Sequence, residues 1–356
     1  MVAETVVGLD LGKRSSQWVA VNRETGAVLQ GDKLPNDREA VKNWLTTLPR
    51  PIRVVFEACP GWQPAYDMLE ELVEELQMAH PLETRAIAHA RIKTDELDAA
   101  TLAHLGRADL VPQAWIAPRP VRDLREDLRN RAFLVAMQTR VKNRIHAMLT
   151  WTGTTPPAAS DLFGKAGMAF LEEVRLRDPY QHLLNQHVRV LKSLREEIEE
   201  ATGRIKEMAR LDPRVELLLP IRGMGEYTVM LVLAEIGEIG RFPTPRHLVS
   251  YAGLCPSTYQ SGQTLRHGRL IKRGSRWLRW AMVEAAIHYA KDSGPLGDTY
   301  RRIQRRKGNK IARIVVAREI CQAVFWCLHK RHAFVQQSRR VQGRSFPPLS
   351  PRGSCQ

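Results

Sequence analysis

The first third of the chain alternates short apolar runs with amphipathic segments. The runs that predict a three-stranded meander cover residues 5–10, 17–21 and 26–30. Apolar residues at helical spacing then predict a helix over residues 37–47, and residues 53–57 form a further buried-type strand. Residues 61–77 have the pattern of an acidic amphipathic helix. Strands that alternate with helices in this way predict a mixed α/β sheet with helices packed on it.

The remainder of the chain has helical patterns. Residues 121–150 predict one long helix rich in Arg, and apolar residues recur at near-heptad spacing over residues 184–211. The second segment fits a helical hairpin or a coiled coil with an oligomer contact, and it fits a helix pair within one chain equally. After Asp212-Pro213 a basic helical domain is expected as far as Arg331. The predicted divisions are residues 1–115, 116–211 and 212–335, followed by a disordered basic tail over residues 336–356.

The charge balance points to a polyanionic partner. The chain of 356 residues carries 54 Lys and Arg against 38 Asp and Glu, a formal net charge of +16. Nucleic acid is the expected partner of so basic a protein. The alternative is a protein whose basic charge serves only to keep it in solution.

The cysteines and the apolar segments exclude several classes of protein. The five cysteines are scattered without the close spacing of a zinc site, which favours reduced thiols in a cytoplasmic protein, here one at the nucleoid. Residues 1–11 lack the pattern of a signal peptide, and no apolar stretch is long enough to predict a membrane span. We therefore expect no membrane partner.

Four carboxylates are candidates for chemistry. Asp10 closes an apolar strand between two glycines, and Glu57 closes the next buried strand. Asp95 and Asp98 lie one turn apart on the same face of a predicted helix, where like charges cost about 0.2–0.5 kcal/mol. Carboxylates delivered by two strand ends and one helix suit a pair of divalent metal ions facing a phosphodiester. Other interpretations are open: sugar-kinase-like ATPases begin similarly, Glu57 fits a solvated strand end, and Thr94 with Asp95 fits a helix cap.

Two features near the C-terminus suit nucleic-acid binding. Arg222, Gly223 and Gly225 form a turn that opens an apolar helix and resembles a helix–hairpin–helix element, although a tight helix–helix turn has the same pattern. Further along, six cations with interleaved Gly and Trp, and no acid between residues 261 and 280, fit a surface that contacts a nucleic-acid strand or a solvated basic face. The cations are Arg266, Arg269, Lys272, Arg273, Arg276 and Arg279. Ser261 heads this run as a candidate nucleophile, and Ser257 competes for that role.

The order of these motifs resembles the DEDD-type insertion-sequence transposases, which include the Piv DNA invertase and the bridge-RNA-guided recombinases. The residues that carry the resemblance are Asp10, Glu57, Lys93-Thr94-Asp95, Asp98-Ala99, Gly223-Met224-Gly225, Tyr251-Ala252-Gly253-Leu254, Ser261-Gly262 and Lys272-Arg273-Gly274. The likeness spans roughly residues 3–330. Gln263 departs from the family, whose members often carry Gly or Lys after the Ser-Gly pair.

The resemblance implies a fold and a chemistry. It implies an N-terminal RuvC-like domain of ribonuclease H fold in which Asp10, Glu57, Asp95 and Asp98 hold Mg²⁺, or alternatively Mn²⁺. It further implies a central coiled coil and a helical C-terminal transposase domain in which Ser261 links covalently to DNA. The tetrad and the serine would form a composite site, within one subunit or between subunits of a dimer or tetramer. A guide RNA encoded by the element is a further implied partner.

Three functions remain to be distinguished at this point. The first is a recombinase that exchanges strands through a serine adduct without ATP, in agreement with the lack of a Walker A loop. The second is a Holliday-junction-type endonuclease that uses the same carboxylates with water as nucleophile. The third is a non-enzymatic DNA- or RNA-binding protein.

Overall fold

The computed structural model describes residues 3–87, 94–157, 161–261 and 264–335. Two compact units divide the chain, Met1–Ala117 and Pro118–Gln356. Lys93, Gly262, Gln263 and the tail predicted for residues 336–356 lie outside the described residues. Within those ranges, no helix is both long and apolar enough to cross a membrane.

A five-stranded mixed sheet forms the centre of the first unit. Its strands are β1 (Thr5–Asp10), β2 (Ser15–Asn22), β3 (Val28–Pro35), β4 (Ile52–Glu57) and β5 (Glu75–Ala79). The spatial order is β3-β2-β1-β4-β5, in which β1, β2 and β3 run antiparallel and β1, β4 and β5 run parallel. The predicted meander and the mixed α/β sheet are confirmed.

Four helices accompany this sheet in the described part of the first unit. They are α1 (Arg38–Thr46), α2 (Trp62–Leu69), α3 (Pro81–Ile87) and α4 (Asp95–Arg107). The prediction of one helix over residues 61–77 is wrong, because α2 ends at Leu69 and the chain turns back into β5. In β5, Met78 and Ala79 are buried, and the strand supplies hydrogen bonds to the otherwise open edge of β4.

The two faces of the sheet have different cores. Val7, Leu9 and Phe56 face α1, where they pack with Trp44 and Leu45. The alternate positions of the same strands face α4, where Val6, Val19 and Val55 pack with Ala99, Leu102 and Ala103. Side chains alternate between the faces along a strand, so each residue number in β1 and β4 also fixes its face.

Long helices dominate the second unit. Its elements are α5 (Arg119–Trp151), α6 (Lys165–Glu173), α7 (Tyr180–Leu211), α8 (Arg214–Leu218), α9 (Glu226–Ile236), α10 (Pro245–Tyr251), β6 (Pro256–Ser261), β7 (Thr264–Leu270), α11 (Arg276–Ile287), α12 (Pro295–Lys307) and α13 (Asn309–Lys330). The near-heptad residues of α7 pack against α5 within the chain. Leu184, Val188 and Leu191 are buried with Ile145 and Met148 of α5, which agrees with the intramolecular alternative.

The sequence predicts a purely helical second unit, but the structure also contains two strands. Strands β6 and β7 form an antiparallel hairpin between α10 and α11, with Ser261 paired to Thr264. Below it, α9, α11 and α13 share one large apolar core. No disulfide joins the cysteines of the described residues, and burial raises the pKa of the Cys327 thiol to about 11.

Candidate active site and nucleic-acid interface

Asp10 and Glu57 end neighbouring parallel strands. In the register of β1 and β4, Leu9 lies beside Phe56, so the two acids occupy the next position on each strand. Both also lie two residues beyond a position that faces α4, Gly8 and Val55, and therefore share that face. Each side chain is half-buried. The carboxyl edge of the sheet thus presents both acids on the α4 side.

The direction of α4 determines where its own acids lie. A Cβ atom on Gly8 would lie 1.8 Å from the carbonyl oxygen of Ala99, so that turn of α4 rests directly on β1. One on Gly106, further along α4, would lie 2.6 Å from Val55 Cγ2 and 2.9 Å from Val6 Cγ1. Because α4 runs antiparallel to β1, its first turn lies at the carboxyl edge.

Asp95 and Asp98 belong to that first turn. Thr94 caps the helix by accepting a hydrogen bond from the Leu97 N–H at 3.2 Å, so capping does not require Asp95. Asp95 lies 3.9 Å from the ammonium group of Lys33, which the sheet register aligns with Asp10 through β2. The structure therefore brings Asp10, Glu57, Asp95 and Asp98, hereafter the edge carboxylates, to one edge and one face of the sheet.

The donor chemistry of the edge carboxylates suits a hard divalent cation. Oxygen ligands are what Mg²⁺ and Mn²⁺ bind in proteins. Across the described ranges, no group of three or more His, Cys, Asp or Glu side chains is arranged closely enough to hold a metal ion. Gathering four negative charges into one coordination shell costs Coulomb energy unless a cation offsets it. The backbone brings the acids to a common edge, whereas their oxygens are not gathered around a common point.

The predicted Gly-x-Gly turn begins α9. Gly223 has φ +83°, and a Cβ atom there would lie 2.5 Å from His288 Cδ2, so both the backbone angle and the packing require glycine. Gly225 is the N-cap residue of α9 and has open space around its Cα. Arg222, which was predicted to bind nucleic acid, donates to Asp292 at 2.8 Å while remaining about half exposed.

Ser261 is the last residue of β6, at the end of the hairpin next to Gly262. The competing residue, Ser257, lies within the hairpin, where its Oγ would be 2.4 Å from a Cβ atom on Gly268. Ser257 therefore packs against the backbone of the opposite strand. Ser257 lies at the register shift between Pro256 and Thr258, whereas Ser261 pairs with Thr264 at the end of β6.

The basic run after the hairpin divides into two groups. Five of its cations are exposed: Arg266, Arg269, Lys272, Arg273 and Arg276. Arg279, in contrast, donates to the carbonyl oxygens of Ala252 and Lys272 at 3.2 and 3.3 Å, and burial holds its pKa below the ordinary value. The five exposed cations form the candidate nucleic-acid surface, and Arg279 supports it from beneath.

One charged residue that the sequence analysis missed organises this region. Glu235, with only 4% of its side chain exposed, accepts from Arg129 of α5 at 2.8 Å. Its second oxygen accepts at 2.8 Å from Ser275, whose side chain also caps α11. The only available signal was an acid within the apolar stretch of α9 that follows its first turn. Glu235 joins three helices at the base of the basic surface.

Two family models match the chain in succession. A model described as a transposase of the DEDD, IS110 type matches residues 7–153, and one described as the transposase IS116/IS110/IS902 family matches residues 215–302. The chain belongs to this transposase family. The predicted membership is confirmed, and the transposase is an enzyme that acts on DNA.

Several relatives resemble this transposase, some over most of their length and others over about a third. A "Probable family 20 transposase" of Pseudomonas aeruginosa is 26% identical over 342 residues, which cover 91% of this chain and 96% of the relative. The transposase for insertion sequence element IS1328 of Yersinia enterocolitica is 25% identical over 288 residues, 80% of this chain and 84% of the relative. The pilin gene-inverting protein of Moraxella bovis is 32% identical over 108 residues, 30% of this chain and 34% of the relative.

Proposed function

We propose that this transposase moves an insertion sequence by cutting and exchanging DNA strands with the edge carboxylates and Ser261. The observation that carries the proposal is the common edge and face of Asp10, Glu57, Asp95 and Asp98. The strand order supports a RuvC-like ribonuclease H fold for the first unit. A carboxyl edge that joins acids from two strands and one helix suits phosphodiester chemistry in such a fold.

Mg²⁺, or Mn²⁺ in its place, would be held by the edge carboxylates and would stabilise the charge that develops on the attacking and leaving oxygens. Lys33 has a different, electrostatic role. Its ammonium group, 3.9 Å from Asp95, lowers the repulsion among the acids before any cation binds. The side chains of Asp95 and Lys33 are 69% and 61% exposed, so their pairing is weak enough to give way to a stronger ligand.

In the proposed covalent step, the Ser261 hydroxyl attacks the phosphorus of the cut strand. An O–P bond forms, the bond to the leaving deoxyribose oxygen breaks, and that oxygen takes up the proton that the serine loses. The phosphoserine link conserves the energy of the original bond, so a hydroxyl from another strand can reseal the DNA without ATP. The end position of Ser261 and the exposed cations Arg266 and Arg269 on the same hairpin support this role.

Two further features belong to the proposal. Base pairing with a guide RNA would select the DNA sites, while the basic surface contacts the backbone of the nucleic acid. A dimer or tetramer would act on paired DNA ends. Co-purification of one discrete RNA with the transposase, identified by sequencing, supports the first feature, and a protein free of such RNA that recombines DNA contradicts it.

The test of the central proposal uses DNA that carries the ends of the encoding element. Asp10→Asn should abolish cutting, and Ser261→Ala should abolish both recombination and the covalent protein–DNA species seen on denaturing gels. Ser257→Ala is the matched control and should retain that species. Hydrolysis of branched DNA by Ser261→Ala, with no adduct in the unmodified enzyme, identifies a Holliday-junction-type endonuclease instead. Full recombination by Asp10→Ala contradicts the carboxylate mechanism.

A further inference from the structure

A cavity of about 630 Å³ lies at the same carboxyl edge, on the face of the sheet opposite α4. Leu11, Trp18, Pro64 and Met68 supply its apolar walls, and Lys13 and Cys59 are among its polar lining residues. Its volume falls in the range of about 300–1,000 Å³ that is typical of small-ligand sites. We refer to this space, between the β1–β2 turn and α2, as the edge cavity.

A closed set of hydrogen bonds fixes one wall of the edge cavity. The Ser16 hydroxyl accepts from the Gly12 N–H at 3.3 Å and donates to Asn36 Oδ1 at 2.6 Å, and Asn36 Nδ2 donates to the Gly12 carbonyl at 2.9 Å. A Cβ atom on Gly12 would lie 2.1 Å from the Ser15 carbonyl oxygen, so this turn depends on glycine. The wall is therefore held in place before any ligand binds.

Trp18 supplies an unused hydrogen-bond donor. The residue is 1% exposed and lines the cavity, yet its indole N–H has no acceptor within the part of the chain that the structure describes. The neighbouring Trp44 differs, because its indole N–H donates to Asp32 at 2.7 Å. Buried donors are normally paired, but this nitrogen is not accessible from the cavity, so an acceptor on a ligand reaches it only if the indole ring shifts.

A nucleobase has the matching chemistry. It is flat and apolar on its faces, where aromatic and aliphatic walls hold it, and it carries oxygen and nitrogen acceptors along its edges. Lys13 and Arg14 are exposed on the β1–β2 turn, where they can bind the phosphates that accompany a base. An apolar slot with Lys13 in its lining and Arg14 next to it on the turn complements the faces and the phosphates of a nucleotide.

The position of the cavity relates it to the edge carboxylates. Leu11 directly follows Asp10, and Cys59 follows Glu57 by two residues, with successive Cα atoms about 3.8 Å apart. We infer that the edge cavity receives an unpaired base of the DNA strand whose phosphate lies at the edge carboxylates. This inference rests on the proposed function. Holding the base out of its stack would fix the phosphate relative to the carboxylates, as enzymes that flip a base do.

Cys59 offers a direct test, because it is half-buried in the cavity wall while Cys255, Cys321 and Cys327 are buried. In a Cys355→Ser background, we would measure alkylation of Cys59 by iodoacetamide with mass spectrometry. The probes are single-stranded oligothymidylate, an abasic oligonucleotide of equal length and oligouridylate. The inference requires that oligothymidylate slow the alkylation of Cys59 in proportion to the fraction of protein that is bound. The abasic strand, when bound, should not slow it. Equal protection by the abasic strand, or protection by the RNA oligomer alone, overturns it.

A variant that fills the cavity provides the second measurement. Ala65→Phe, in the cavity wall on α2, should remove the part of the single-strand affinity that depends on bases, and Ala86→Phe, on the exposed face of α3, should not. Unfolding transitions confirm that both variants are folded. Affinity of Ala65→Phe equal to that of the unmodified protein overturns the inference. Asp10→Asn separates the two proposals, because it should lose cutting and keep the protection of Cys59. If the unmodified protein cuts DNA but oligothymidylate does not protect its Cys59, the proposed function holds and this inference fails.

Discussion

Gly8 on β1 lies directly beneath the carbonyl group of Ala99 on α4, so closely that a Cβ atom at position 8 would be 1.8 Å from that oxygen. This contact sets the height of α4 above the sheet. It also sets the position of the first turn of α4, which carries Asp95 and Asp98. Because residues 8 and 10 share a face of β1, one small residue controls how the helix acids approach Asp10.

Gly8→Ala should therefore impair both stability and cutting. The added methyl group meets backbone atoms, which cannot rotate away, so we expect a loss of about 1–3 kcal/mol or more in the free energy of unfolding. DNA cutting should fall even under conditions in which the variant is folded. The control is Gly203→Ala on the exposed face of α7, where a Cβ atom meets nothing within 4 Å. That variant should gain up to about 1 kcal/mol in urea unfolding, and equal losses in the two variants contradict the argument.

Glu235→Ala should destabilise the second unit strongly. It removes an almost fully buried carboxylate and leaves the Arg129 guanidinium and the Ser275 hydroxyl without their acceptor. Because Arg129 is 34% exposed and also lies 3.6 Å from Glu126, the expected cost is about 1–3 kcal/mol. Glu71→Ala, which removes an exposed partner of Arg38, should cost under about 1 kcal/mol. Chemical denaturation measures the free energy of unfolding of both variants. An equal loss in the Glu235 and Glu71 variants contradicts the prediction.

Some strands of the first unit can be predicted from the sequence, and β5 cannot. The strands that contain Asp10 and Glu57 were predictable because short apolar, β-branched runs between turns rarely adopt another conformation. β5 was missed because Glu-Glu-Leu-Val-Glu-Glu-Leu favours a helix by local propensity, whereas pairing with β4 decides the conformation. Long-range pairing of this kind leaves no trace in a local window.

The hairpin of β6 and β7 carried a signal that was not used. Two runs separated by two residues, Gly262 and Gln263, match the spacing of a tight hairpin. The basic residues of the second run drew attention to charge instead. Glu235 could not have been placed from sequence, because its partners Arg129 and Ser275 lie far away along the chain and only the packing of three helices joins them.

The pH dependence of stability should include a contribution from Asp212. Burial opposes ionisation of this carboxyl group, but hydrogen bonds from the side chain and backbone N–H of Arg214 outweigh burial and hold its pKa below the ordinary value. A lowered pKa contributes stability above the unfolded pKa of about 3.9, and this contribution disappears as the pH falls through the folded pKa. The unfolding free energies of the unmodified protein and Asp212→Asn should therefore differ by a constant amount above about pH 5 and converge in acid. A difference that grows as the pH falls contradicts this assignment.

The salt dependence of DNA binding should separate the exposed cations from Arg279. Each phosphate contact adds about −0.9 to the slope of log K against log salt on duplex DNA. Arg269→Gln and Arg273→Gln should each weaken binding and reduce the steepness by about that amount if the residue contacts a phosphate. Arg279→Gln should mainly lower the unfolding free energy, because its guanidinium bonds to the Ala252 and Lys272 carbonyls. Fluorescence anisotropy across a salt series measures the slopes, and an unchanged slope for both exposed variants would exclude this surface as the duplex contact.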